Sequence, residues 1–298
     1  MIDVTALVAA TLVVATPLLY AAIGEIVTER AGVLNLGIEG TMYAGAFTGF
    51  LVAARSGSPW TGLAAAIAVG VVAGALMALL VVTFGVNQHV AGIGTTLLLI
   101  GASDFANRFL YGSGTLTQIS KFELLLKDVP VLDQYLLTYV GVLVVAPAVW
   151  WTLRHSGFGL RVRAVGENPE AADAAGISVA RTRYAALMIG GALMAVGGAF
   201  ITLAMLGTFT LNITNGRGWV AIALVIFGRW RVWPAVLGGL LFAGVDALQL
   251  QLAVTTFFAG VPREVMIALP YLVVIGALVL SGRNLAYPGA YLKPYRRT

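Results

Sequence analysis

An all-α fold, a polytopic transmembrane bundle of about nine helices (eight to ten), is what this sequence predicts, and three observations predict it. Only 10% of the 298 residues are charged while 59% are hydrophobic. A soluble domain carries about 25% charged residues, so this chain has too few to cover a water-facing surface. Apolar runs of roughly 17–25 residues, each able to cross ~30 Å of hydrocarbon, recur along it. The basic residues, finally, gather in a few of the segments between those runs, as they do when one side of a membrane collects them.

The predicted spans are 5–24, 33–54, 60–84, 90–110, 135–153, 184–206, a short piece at 218–228, 234–252 and 264–281. The opening MIDVTALVAATLVVATPLLY has neither a basic start nor a small-residue cleavage site, so it reads as a first span and not a signal peptide. The 218–228 piece is too short for an ordinary span and is expected to be tilted, broken or re-entrant. The whole chain, 1–298, reads as one membrane domain with a charged segment at 154–183 and a polar tail at 282–298.

Placing segment 154–183, the tail and Arg229/Arg231 inside gives nine crossings, with the N-terminus outside and the C-terminus cytoplasmic; twelve of the eighteen Lys+Arg then lie inside. That loop asymmetry accounts for the net charge of +5, and no nucleic-acid partner is expected. With no cysteine and two scattered histidines, His89 and His155, no disulfide and no metal site is expected.

Two stretches match internally. GVNQHVAGIGTTLLLIG (85–101) and GVPREVMIALPYLVVIG (260–276) agree at six of seventeen positions, each after a glycine-rich span that begins close to a tryptophan, Trp60 or Trp233. The topology above puts the first loop inside and the second outside, which makes the copies inverted. Inverted repeats are a hallmark of transporters, with the substrate path at the repeat interface.

GFGLRVRAVGENPEAADAAGISVARTRY (157–184) is the one stretch that resembles a soluble protein. Asn168-Pro169 is a helix start: Asn caps, and Pro fits the first turn, where its missing N–H is not needed. Glu170 and Asp173 lie near the positive end of the helix dipole, and Gly176 suits a left-handed stop. A two-turn helix at 169–175, flanked by basic arms, is therefore expected. Two turns are not stable alone in water, and an apolar side of alanine and isoleucine is too weak to anchor it to lipid. A docking knob for a soluble partner explains it better.

Several polar groups lie within the apolar runs. An ionisable residue at that depth is a functional-site hypothesis by default, which singles out Glu39 beside Asn35; its bland alternative is a hydrogen bond bracing a broken helix. Thr95 and Thr96 are helix-packing groups or path residues. Asp104 and Arg108, i and i+4, read as a self-neutralising pair. Asn212, Asn215 and Arg217 either make a turn or bind a sugar hydroxyl. Asp246 and Gln249 share a face, and the acid needs a partner: Gln249, the path or another subunit. The candidate path is thus Asn35, Glu39, Thr95, Thr96, Asn212, Asn215, Asp246 and Gln249.

Three motifs in order, ERAGVLNLGIEGTMYAGAF, GFGLRVRAVGENPEAADAAGI and NITNGRGWVAIALVIFGRW, resemble ATP-binding-cassette importer permeases of the ribose, branched-chain amino-acid and nucleoside family. The resemblance covers nearly the whole chain and is nearest the shorter permease of nucleoside-type importers. It implies that the segment matching 167–178 is a coupling helix seated in a cleft of an ATPase subunit. Arg163, Gly166, Glu167, Asn168, Pro169, Glu170, Ala171, Ala175 and Gly176 would form the coupling set.

The same resemblance implies two ATPase subunits, a second and non-identical permease, and an external solute-binding lipoprotein or periplasmic protein, all around a chain solvated by membrane lipid. Relative to ribose-type permeases this chain lacks a first helix, which fits an external N-terminus. None of its lysines follows the glycine loop of a phosphate-binding motif, so ATP and Mg belong to the partner ATPases and this chain binds no cofactor. Nor is there a constellation of catalytic residues. Path residues that are amides, hydroxyls and isolated carboxylates suit a neutral hydroxylated solute, a nucleoside or a simple sugar. The alternatives are a branched-chain amino acid or a flavin, or a stand-alone proton-coupled carrier using Glu39, Asp104 or Asp246.

Overall fold

The structure, a computed structural model, describes residues 3–112, 117–126, 129, 131–253, 263–281, 287–293 and 295. Eleven helices follow in order: α1 (Val4–Arg30), α2 (Ile38–Ser56), α3 (Pro59–Thr83), α4 (Gln88–Tyr111), α5 (Leu136–His155), α6 (Gly157–Glu167), α7 (Pro169–Ala174), α8 (Val179–Leu206), α9 (Arg217–Phe227), α10 (Val232–Ala253) and α11 (Arg263–Ser281). Every predicted apolar run contains a helix. Six of them, α1, α3, α4, α5, α8 and α10, are long and apolar enough to cross a membrane. The one strand pairing among the described residues is a two-residue antiparallel ladder, Leu124–Leu125 with Gln134–Tyr135, in and at the end of the predicted polar loop 111–134.

The starts are capped by the residues whose side chains compete best for free amides. Asp3 accepts from Thr5 N at 3.0 Å, Asn87 from His89 N at 2.9 Å, and Ser156 from Gly159 N at 3.0 Å. α8 is the central strut, packed on α1, α2 and α3. It gets close through glycine: a Cβ on Gly198 would sit 1.8 Å from the Met42 carbonyl oxygen, and one on Gly191 would sit 2.3 Å from that of Gly70. Such backbone proximity is how helices gain packing energy where lipid cancels the hydrophobic drive. The outer face of α4 is the reverse, with Leu97, Phe105 and Phe109 exposed, as a lipid-facing surface requires.

Hydrogen bonds and ring contacts sort the connections into two ends. At one, Thr83 meets Tyr184, Gln88 holds the backbone of Leu34 and Gly32, and Arg30 donates to the Trp230 carbonyl. At the other, Trp60 packs on Phe122, whose amide bonds the Leu203 carbonyl. The first end carries α6, α7 and residues 287–293, and is termed the coupling end.

Two expectations change. The first helix does not stop at residue 24 but runs to Arg30, so Glu25 and Glu29, expected in a loop, are fully buried in it. The stretch before the two-turn helix is not an open arm but the helix α6, which Ser156 caps.

Candidate coupling face and solute path

Gly159 lets α6 fold back tightly on α5, since a Cβ there would lie 2.0 Å from the Thr152 carbonyl oxygen. Gly166 does the same against α1, 2.0 Å from the Arg30 carbonyl oxygen. α7 then starts as its sequence dictates. Asn168 Oδ1 accepts from Ala171 N at 3.0 Å, Pro169 occupies the first turn, and Gly176 ends the helix at φ +81°. Its inward side is Ala172, buried with Val165 and Val179.

That packing leaves Glu167, Asn168, Glu170, Ala171, Ala175 and Gly176 exposed and contiguous. Pro169 and Arg163 are half-buried; Gly166 is buried and faces α1, not solvent. A segment the sequence left unconnected supports this face from behind. Ala290 N donates to the Gly166 carbonyl at 2.8 Å, Gly289 N to Glu167 Oε2 at 3.2 Å, and the Tyr295 hydroxyl to Asp173 Oδ2 at 3.1 Å.

A second polar centre lies deeper. Asn212, Asn215 and Gly216 adopt φ of 60°, 47° and 79°, the left-handed region that Asn and Gly tolerate best. This curl aims the start of α9 at Glu39. Glu39 Oε1 accepts from Thr214 Oγ1 at 2.6 Å and Gly216 N at 2.9 Å, and Oε2 from Gly218 N at 2.6 Å. A buried carboxylate at a helix N-terminus is favoured twice, by hydrogen bonds to unpaired amides and by the helix dipole. α9 has eleven residues, about 16 Å of helix, half of the ~30 Å needed to cross. Before it lies 207–216, irregular backbone whose Thr208, Phe209, Ile213 and Thr214 are buried in protein.

The other candidates gather round this point. Asn35 Oδ1 accepts from Gly37 N at 3.0 Å while its own amide donates to Glu25 Oε1 at 2.9 Å, so it shapes the turn before α2. Thr96 donates to the Leu36 carbonyl at 2.8 Å. Thr95, which packs against Gly37 at the cap of α2, has its Oγ1 buried without a hydrogen-bond partner. Asn212 Nδ2 reaches Asn215 Oδ1 at 3.4 Å, and both side chains are exposed. Arg217, at the start of α9, is the cation acting on Asp246, a partner none of the three sequence alternatives named. Gln249 is buried one turn further along α10. Asp104 accepts from the Tyr43 hydroxyl at 2.5 Å, not from Arg108, and the same hydroxyl accepts from Asn212 N at 3.2 Å.

Sequence reasoning missed the buried carboxyl pair on α1. Glu25 accepts from Thr28 Oγ1 at 3.0 Å and acts electrostatically on Glu29, which receives the Trp230 indole N–H. Trp230 itself holds a positive φ of 56°, clamped by Glu29, Arg30 and the rings of Tyr287 and Tyr291. Burial, the nearby carboxyls and a hydrogen bond to Glu29 push the Tyr291 hydroxyl well above the usual phenol range. The readable signal was the spacing i, i+4 of two acids in an otherwise apolar run.

The bundle carries a small capped helix exposed at one end and a pinned half-helix inside, and the chain belongs to the branched-chain amino acid transport system permease component family, whose model matches residues 7–279. It is a permease subunit of an ATP-binding-cassette importer and not an enzyme. It is 37% identical to a putative glucose ABC transporter permease of Haloferax volcanii, over 97% of this chain and 96% of the other. It is 34% identical to a guanosine ABC transporter permease of Bacillus subtilis, over 91% and 90% of the two chains. With a nucleoside ABC transporter permease of Lactococcus lactis the identity is 32%, over 92% and 91%. No solved structure matches significantly.

Proposed function

We propose that this permease carries a small neutral hydroxylated solute, a nucleoside in the first place, and is driven through helix 168–176 by partner ATPases that hold the ATP and Mg. The exposed Glu167–Gly176 face carries the reading: a capped helix kept outward by three contacts from residues 289–295 has no use in a self-sufficient carrier. Family membership likewise favours the ATP-driven class over a proton-coupled one. Two of the three relatives above are permeases for guanosine or nucleosides, and the glucose permease supports a simple sugar as the second reading. Branched-chain amino acids, named by the family model, and flavins fit the polar groups less well.

The path runs past the start of α9, where Thr95 Oγ1 offers the free donor and acceptor that a solute hydroxyl needs, with Asn35, Glu39, Thr96, Asn212, Asn215, Asp246 and Gln249 around it. Nine crossings, counting 207–227 as one, give an external N-terminus and a cytoplasmic coupling end holding segment 154–183 and tail 282–298. α4 and α11 are then the corresponding helices of an inverted repeat; residues 260–262 of its second copy lie outside the described residues. The complete importer adds two ATPases, a second and non-identical permease, and an external solute-binding protein. In the reconstituted importer, Glu170→Lys with Ala171→Trp is expected to abolish guanosine and glucose uptake and ATPase co-purification while membrane insertion persists. Normal uptake by that variant would refute the coupling role.

A further inference from the structure

The coupling end holds a cavity of about 270 Å³ whose lining includes Arg30, Arg154, Arg163 and Arg231 together with Trp150 and Trp233. It shares one half-buried residue, Arg163, with the expected coupling set and otherwise lies apart from the coupling face and the path. It lies where three candidate spans terminate: α1 at Arg30, α5 beside Trp150 and Arg154, and α10 at Trp233. Among the described residues no carboxylate lines it. Arg163 and Arg231 repel Arg30, and the compensating charge on Arg30 is Glu167, from outside this lining.

The hydrogen bonds these guanidinium groups make among the described residues run to main-chain carbonyls. Arg30 Nε donates to Trp230 at 3.0 Å, and Arg163 donates to Gly159 at 3.4 Å and to Arg154 at 3.3 Å. Each guanidinium has five N–H donors, so most are uncommitted. Arg154 also sits 5.9 Å over the Trp150 ring, which holds its plane. Four convergent cations with no carboxylate in the lining are costly at the edge of a low-dielectric slab, and an anion supplied from outside lowers that cost.

We propose that this cavity binds the phosphate of an anionic phospholipid. Guanidinium forks match phosphate oxygens bidentately, which sets the chemistry. The lipid source follows from position: exposed Trp233 lines the cavity at the start of α10, and exposed Trp151 is next in sequence to its lining residue Trp150 near the end of α5, the depth at which tryptophan marks headgroups. Basic pockets between spans on that side are where acidic headgroups lodge. The lipid source rests on the cytoplasmic placement of this end; apart from Arg163 the site uses no residue of the solute path or the ATPase contact, and its test varies Arg154 and Arg231, so it stands or falls apart from them.

The test is native mass spectrometry of the full-length chain in detergent, titrated with phosphatidylglycerol or phosphatidylcholine. Phosphatidylglycerol is expected to be retained about tenfold over phosphatidylcholine. The double substitution Arg154→Gln/Arg231→Gln should erase that preference, while Arg161→Gln, on an exposed arginine outside the cavity, should keep it. Thermal unfolding of the double variant checks that it is folded. If that variant is misfolded, Arg231→Lys is read instead, and weakened but surviving preference supports the site. Equal retention of the two lipids, or preference surviving in the folded double variant, overturns the proposal. Displacement of phosphatidylglycerol by millimolar inorganic phosphate supports a phosphate site. Binding of inorganic phosphate with no lipid preference assigns the cavity to a soluble phosphate and overturns the lipid source.

Discussion

Glu39 shows how one side chain defines a joint. Both of its oxygens are saturated by donors from the 214–218 turn, so the carboxylate braces the half-helix whatever else it does. Glu39→Gln turns an –NH2 group toward backbone amides and loses a charge-assisted bond; about 1–3 kcal/mol of stability should go with it. We expect thermal unfolding of the variant to shift down together with uptake. Lost uptake at unchanged stability would instead assign the carboxylate to the solute. Glu29 tests the missed pair. Glu25→Gln supplies a donor to Glu29 Oε1, which is buried without a partner, and should leave the unfolding temperature unchanged or raised. Glu29→Leu strips the acceptor from the Trp230 indole and should lower it. Neither glutamate stands out in the sequence, because acids followed by Arg30 read as a loop. Asp246 is legible as an acid needing a partner, but Arg217 is distant in sequence and meets it only once α9 and α10 are packed.

Among the elements, the helix with the most explicit chemistry is the most legible. Asn-Pro at the start and Gly at the end fix α7 at Pro169–Ala174, against 169–175 from the sequence. α6 is hidden because glycines and then arginines take every other position of its first turns, and its reason to be helical is the surface it finds on α5, α8 and α1. Glycine runs in α8 are legible as close packing, but not which backbone they meet. Gly198→Ala would drive a Cβ to 1.8 Å from the Met42 oxygen. Loss of folded protein is expected, by fluorescence-detected size-exclusion chromatography. Gly101→Ala, with open space around its Cβ position, should behave as wild type, and equal damage from both would contradict the assigned packing.

For the molecule as a whole, apolar periodicity marks nine runs and each holds a helix, because length and greasiness alone decide that. The irregular stretch joined to a half-helix at 207–227 is beyond such reading. Its first half is irregular and survives only because neighbouring helices bury it and its amides find Glu39 and Tyr43. The contacts of residues 289–295 with the coupling segment are equally out of reach, since they join parts of the chain more than a hundred residues apart. They join the exposed face of α7 to the tail, whose Tyr287 and Tyr291 pack on Trp230 between α9 and α10, and we propose that a push on α7 travels this way toward the helix that Glu39 holds. Because the chain has no cysteine, that account can be tested with one new thiol at a time. Ala171→Cys and Ser56→Cys, exposed at opposite ends, would be cross-linked within the assembled importer in native membranes. The account predicts an ATPase adduct at residue 171 and none at 56; no adduct at 171, or one at 56, would contradict it.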